Sequence, residues 1–252
     1  MKRLLSVFCL FALLLTACGN STADHSSAPE PVIPEPTETG IVDAPPWFKT
    51  FRVVDTMGET LLLAGSGDVA GDIYTMAASH CEEPVADGQL INVYFETVME
   101  TYPAQFGNIS KVEPTKEPID DRCGLYLLVL EDLWEKDSGL NSDVSRLGID
   151  LSGVTDLAES EKSAIAYAFS CAHDLFPALT GTWDELVDEG YIDEKNLCWE
   201  DGIFFSLSGS AEEHFNAQKW RSGTGAYFFF NCTAEMTEDG SWSYDIGGQA
   251  IS

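Results

Sequence analysis

Cys171-Ala172-His173-Asp174 puts a thiol, an imidazole and a carboxylate within four residues, the side-chain types that nucleophilic catalysis uses. On a helix, however, Cys171 and His173 point about 200° apart, so they do not act on each other. Asp137-Ser138-Gly139-Leu140-Asn141-Ser142-Asp143 gathers oxygen side chains that suit calcium. It lacks the spacing and distal glutamate of an EF-hand, and a capped helix end is the preferred reading. A third cluster is Lys219, Trp220, Arg221 and Tyr227, with Gly223 and Gly225 permitting a close backbone approach. Its two cations are among only seven basic residues in 119–252, against 26 acidic ones. Two readings stand: a ligand or partner contact around Trp220 and Arg221, or an internal ion pair of Arg221 beside a glycine bend, the second being preferred. No H-E-x-x-H, G-x-S-x-G, phosphate-binding loop or dinucleotide fingerprint is present, so no catalytic residue, metal or cofactor is assigned.

The elements that would carry these residues follow a leader. Lys2 and Arg3 precede an apolar stretch from Leu4 to Leu15, interrupted only by Ser6 and Cys9. Its 12 residues fall short of the roughly 20 that a spanning helix needs, so 1–17 reads as a signal peptide. Leu15-Thr16-Ala17-Cys18 resembles the lipobox of bacterial lipoproteins. That resemblance implies cleavage before Cys18, diacylation of its thiol, and a place outside the cell on a bacterial membrane. Two acyl chains anchor stably where one holds only marginally. The alternative is an ordinary secretory leader with a coincidental cysteine. After Cys18, Gly19 to Pro46 holds six prolines, five acidic residues and no Lys or Arg, so 18–46 reads as a disordered tether.

Net charge narrows the partners. The whole chain carries −29, and loss of Lys2 and Arg3 with the leader makes the mature protein −31. Phosphate backbones and anionic headgroups are repelled, so nucleic acid is excluded and membrane contact is left to the anchor. At 44% hydrophobic residues the chain is foldable. Beyond Cys18 there are five cysteines, Cys81, Cys123, Cys171, Cys198 and Cys232, an odd number with no C-x-x-C pair. A Cys198–Cys232 bridge within one sheet and five reduced buried thiols account for them equally well.

Residues 47–116 read as short strands. Phe51/Val53, Leu61/Leu63 and Ile91/Val93/Phe95 alternate, and turn residues separate them at Met57-Gly58-Glu59, Gly65-Ser66-Gly67-Asp68 and Asp87-Gly88. Five or six strands in so short a span predict a small closed barrel. Asp87 to Phe95, followed by Glu100-Thr101-Tyr102-Pro103-Ala104-Gln105, resembles the small OB-like domains of uncharacterised bacterial lipoproteins, apart from Glu96-Thr97 where Asp-Gly is expected. The acidic charge argues against nucleic acid on such a barrel, and Tyr94, Phe95 and Tyr102 read as barrel packing.

Residues 119–252 read as an α+β module with helices packed on a curved antiparallel sheet. Asp121 caps a helix with Leu125, Leu128, Val129 and Leu133 on one face; a strand runs from Arg146 to Leu151. Asp156 and Glu159 suggest a capping box for a helix carrying Ile165, Ala168, Phe169 and Ala172, and Thr182 and Glu185 a second box for a helix ending near Gly190. A meander follows, in which Ile203, Phe205 and Leu207 alternate. At its last turn a three-residue loop, Glu238-Asp239-Gly240, pairs Met236 with Trp242, Ala234 with Tyr244 and Cys232 with Ile246, all on one face. Phe215 to Tyr227 also resembles the closing segment of hypothetical bacterial envelope proteins.

The expectation is a lipid-anchored, extracytoplasmic, non-catalytic protein that binds an unknown protein or small-molecule ligand. Two alternatives remain: an enzyme with a carboxylate-based pocket in the second module, marked by a deep cavity and a carboxylate of raised pKa, and a passive spacer, marked by a convex, evenly acidic surface.

Overall fold

Leu61-Leu62-Leu63-Ala64 is apolar at every position, and all four side chains are fully buried, so their strand is covered on both faces. That one fact organises the molecule. The computed structural model describes residues 47–69 and 71–252; the leader, Cys18 and the tether lie outside the described residues.

The first sheet contains β1 (Phe48–Met57), β2 (Thr60–Gly65), β3 (Ile73–Ala77), β4 (Leu90–Tyr94), β5 (Thr97–Met99), β6 (Ala104–Gly107) and β7 (Lys111–Pro114), in the order β5-β6-β3-β2-β1-β4-β7. Seven strands form where five or six were expected. One face closes over Phe51, Val53, Leu61, Leu63, Tyr74, Ile91, Val93, Phe95, Phe106 and Val112. These include the alternating residues that the sequence marks. The two end strands, β5 and β7, do not pair with each other, so the hydrogen-bonded ladder is open where a closed barrel was expected. Tyr102 also departs from expectation: it is 64% exposed and leans on Tyr167 and Phe176, away from the core of the sheet.

The other face of that sheet presents Val54, Leu62, Ala64 and Ile73 to two helices, α1 (Arg122–Glu135) and α2 (Glu159–Ala172). Polar locks fix the contact. Arg52 pairs with Glu161 at 2.6 Å and donates to the carbonyls of Gly88 and Asp120, while the buried Ser160 hydroxyl donates to the Gly65 carbonyl at 2.8 Å. The two modules separated at 116/119 in the sequence therefore share one core within a single compact unit.

On the far side of the helices lies the second sheet: β8 (Arg146–Val154), β9 (Leu179–Thr180), β10 (Gly202–Gly209), β11 (Phe215–Ser222), β12 (Gly225–Met236), β13 (Trp242–Asp245) and β14 (Gly248–Ile251). Its order is β13-β12-β11-β10-β8-β9, with β14 also on β12. The expected antiparallel meander holds from β10 onward, but β8 pairs in parallel with both β10 and β9, so the sheet is mixed. A short helix, α3 (Trp183–Asp188), covers part of its outer face through Leu186, which packs with Trp199, Phe204 and Trp220.

Local signals in the sequence set most of the helix ends. Asp121 caps α1 by accepting from the Gly124 amide at 3.0 Å, and Thr182 with Glu185 forms the expected box on α3. Leu128, however, is 44% exposed, and the buried face of α1 runs through Cys123, Leu125, Tyr126, Val129, Leu130 and Leu133. Asp156 does not cap α2. Ala158 holds that position, with Glu161 reaching back to its amide at 2.8 Å. Asp156 instead accepts from the Tyr126 hydroxyl at 2.8 Å, the Ala211 amide at 2.9 Å and Arg122 at 3.4 Å. At the last turn, Met236 pairs with Trp242 and Ala234 with Tyr244, with Gly240 left-handed at φ +88°, as the three-residue loop requires.

Candidate functional site

The cationic cluster is internal. Lys219 has no exposed surface, and its Nζ donates to the carbonyls of Trp134 at 2.9 Å, Lys136 at 2.7 Å and Asp137 at 3.4 Å. These carbonyls sit at the C-terminal end of α1, where a helix leaves acceptors unmet and a positive charge is favourable. Burial pulls the Lys219 ammonium down to about 8, against the opposing fields of Asp137 and Glu135. Arg221 donates to the carbonyls of Leu140, Ser142 and Glu200, so it clamps main chain and forms no ion pair among the described residues. Trp220 is 8% exposed and packs edge-on against Trp183 at 4.2 Å. The Tyr227 hydroxyl donates to Gln249 at 2.7 Å. Of the four residues singled out, Lys219 and Arg221 spend their donors on the fold's own main chain and Trp220 packs inside it, so contacts within the fold account for three of the four.

The other chemical candidates separate as well. Cys198 and Cys232 are free thiols. Cys198 bridges to Ser222 at one end of β11, and Cys232 faces Phe215 at the other, so about 23 Å of strand separates them. A disulfide tolerates only about 7 Å between Cα atoms, which rules out the bridge. His173 sits on Glu131 at 3.0 Å and stacks on Trp134 at 3.9 Å, whereas Cys171 lies beside Tyr167. In the 137–143 loop, the carbonyls of Leu140 and Ser142 are occupied by Arg221. Among the described residues no three ligating side chains converge on a metal position.

Carboxylates of raised pKa do occur, but not in a cavity. Burial pushes Asp121 up to about 6, aided by Asp87, Asp120 and Asp55, and raises Asp55 too. Neither lines any of the five main clefts. Their effect falls on stability. A carboxyl whose folded pKa exceeds its unfolded value contributes stability that is full below about 3.8 and is lost as pH rises through about 6. Thermal melts should therefore show a higher Tm at pH 5 than at pH 7.5. Asp121→Asn, which keeps the capping acceptor without the charge, should reduce that difference; an unchanged difference would place the pH dependence elsewhere.

What remains is the part of the second sheet that α3 leaves open. Residues directly opposite each other share a face, so the register sets the row: Asp150 beside Ser206, Ser206 beside Gln218, Ser208 beside Asn216, Gln218 beside Phe228. Phe228 and Phe230 extend it, paired with Ala250 and Gly248 of β14. Toward one end of the strands the same face is closed by Phe204, Trp220 and Ala226 under α3, and the cover runs out at Phe228. Gly148 and Gly202 make that cover possible: a Cβ on either would lie within 3 Å of the Trp199 indole.

The open area is a polar strip with an aromatic end. Ser206, Ser208 and Gln218 make no side-chain hydrogen bond among the described residues, and Asn216 makes one, its Oδ1 accepting from the Asn231 amide. The rings of Phe228 and Phe230 lie parallel, within 5°, 5.8 Å apart, and Phe230 is 39% exposed. At the opposite margin Asp150 and Ser152 reach a cleft of about 230 Å³ on the β8 edge, which Lys162, Thr180, Thr182 and Glu185 also line. Asp150 holds Ser152 through one oxygen, leaving the other free.

Such a surface supplies hydroxyl, amide and carboxylate groups and a flat apolar contact. It holds no nucleophile paired with a base. The sequence contains this strip as the other half of its alternations: Ser206 and Ser208 flank Leu207 after Phe205, and Asn216 and Gln218 lie between Phe215, Ala217 and Lys219. Phe228 and Phe230, two large rings on the solvent side of a strand, are the signal that could have located it. No family model, curated protein or solved structure matches the chain, so the reading of the site stands on its geometry.

Proposed function

We propose that this protein is a lipid-anchored, extracytoplasmic binding protein of the bacterial cell envelope, and that its working surface is the open outer face of the second sheet. The observation that carries the reading is the row from Asp150 through Ser206, Ser208, Asn216 and Gln218 to Phe228 and Phe230, whose polar groups are largely without partners in the fold. The leader ending at Cys18 supports the location. Among the described residues no helix is long and apolar enough to cross a membrane, and the reading assigns attachment to an acylated Cys18.

The catalytic alternative gains nothing from the site, because the carboxylates of raised pKa stand away from the main clefts. The passive spacer gains nothing either, because the face has a polar and aromatic pattern where a spacer needs only charge. We read the first sheet as OB-like in its packing: Phe106 near one end and Val112 at the other share one core. It supports the helices and, through them, the second sheet.

Site-directed crosslinking on intact cells tests the location and the surface together. A photo-reactive phenylalanine analogue in place of Ser208 should form adducts, while the same group in place of the exposed Glu100 should not. Equal labelling at both positions, or none at Ser208, would overturn the assignment of this face.

A further inference from the structure

Resting on that reading, we propose that the outer face of the second sheet takes a neutral, extended polysaccharide chain lying across the strands from Asp150 to Phe230. Three features of the strip select this class of ligand.

The first is charge. The row contains hydroxyls, amides and one carboxylate, Asp150, and the two cations nearest in sequence, Lys219 and Arg221, are turned to main-chain carbonyls on the molecule's own loops. With a net charge of −29 and no cation in the row, an anionic polymer is repelled. A neutral polyol is not, and it offers both donors and acceptors to Ser206, Ser208, Asn216 and Gln218.

The second is shape. From β8 to β14 the row crosses five strands, roughly 20 Å by 10 Å at ordinary strand and residue spacings. That is about 200 Å², far below the roughly 800 Å² per partner of a stable protein interface, so a second copy of this chain or a folded protein would be poorly held. The strip is shallow, with a depression of only about 80 Å³ among Ser206, Ser208, Asn216, Gln218 and the phenylalanines. A chain that makes many small contacts along its length fits it better than a compact molecule that needs enclosure.

The third is the aromatic end. Sugar rings have apolar C–H faces beside their hydroxyls, and the parallel rings of Phe228 and Phe230 offer a matching surface next to the amides of Gln218 and Asn216. Stacked rings and unsatisfied amides side by side serve a ligand that is apolar on its faces and polar on its rim.

The test uses full-length protein in detergent, titrated calorimetrically with a neutral hexasaccharide of β-linked N-acetylglucosamine and with a sulfated polysaccharide. The neutral chain should bind with an affinity insensitive to salt, and the sulfated one should not bind. Phe230→Ala combined with Gln218→Ala should weaken binding at least about tenfold. Trp47→Ala, at an exposed aromatic just ahead of β1, should leave it unchanged. No heat with the neutral chain, or equal affinity in the double variant, overturns the glycan proposal. Crosslinking at Ser208 that persists without glycan binding would leave the binding face standing and make its occupant a protein segment.

Discussion

Lys219→Ala should lower the melting temperature by about 10 °C, through a loss of about 4 kcal/mol in a folded unit of this size. The side chain is fully buried, and its ammonium meets three main-chain carbonyls where α1 ends. Alanine removes the packed stem and takes from the Lys136 carbonyl its donor, while the Trp134 carbonyl keeps the Asn141 amide at 2.9 Å, so a cavity cost and a desolvation cost combine. Lys219→Met separates the two. It restores most of the volume and removes a buried charge while still leaving the Lys136 carbonyl unmet, so it should cost less than half as much. The pH dependence has a definite sign. With the folded pKa lowered to about 8, the unfolded chain binds more protons above that value, so the stability lost to burying the charge returns as pH rises from 8 toward 10. The Met variant should lack this contribution. Melting points for both variants within 2 °C of the wild type would mean that Lys219 does not hold the end of the helix.

This residue also marks the boundary of what the chain makes legible. Lys219 and Arg221 read as a ligand contact or an internal ion pair because cations are scarce here, but their partners are main-chain carbonyls, most of them about 80 positions away in sequence. A lysine that faces inward between Gln218 and Trp220 has the same local pattern as one that faces a ligand. Asp156 misleads for a similar reason. It stands three residues before Glu159, where a cap is expected, yet Tyr126, Arg122 and Ala211 draw it into a network spanning 30 to 55 positions. Cys198 and Cys232 lie in the same sheet, as expected, but only the pairing of β11 shows that they occupy opposite ends of it.

Features decided within a few residues were legible. The Asp121 cap, the Thr182–Glu185 box and the loop ending at Gly240 depend on short-range geometry that side-chain type and spacing specify. The shared core was half legible. Leu61 and Leu63 alternate toward one face, but Leu62 and Ala64 are apolar too, and a continuous apolar run means a strand covered on both sides. That run argues against a self-contained barrel at 47–116. The binding strip was legible only in its core-facing complement, because exposed serines and amides between buried aromatics are the ordinary pattern of a half-solvated sheet.

On the proposed function, the binding face is presented in the cell envelope through one thiol, that of Cys18. Cys18→Ser should abolish membrane attachment altogether. The two acyl chains that this reading places on Cys18 would contribute about 0.8 kcal/mol for each buried methylene, enough to hold a protein of net charge −31 against an anionic surface. The direct measurement is intact mass together with detergent-phase partitioning of the native protein and of the Cys18→Ser variant. The expected result is a mature native chain beginning at Cys18, carrying the mass of its acyl groups and found in the detergent phase, with the variant unacylated and in the aqueous phase. A native chain without acyl mass, or a variant that partitions as the native protein does, would contradict it.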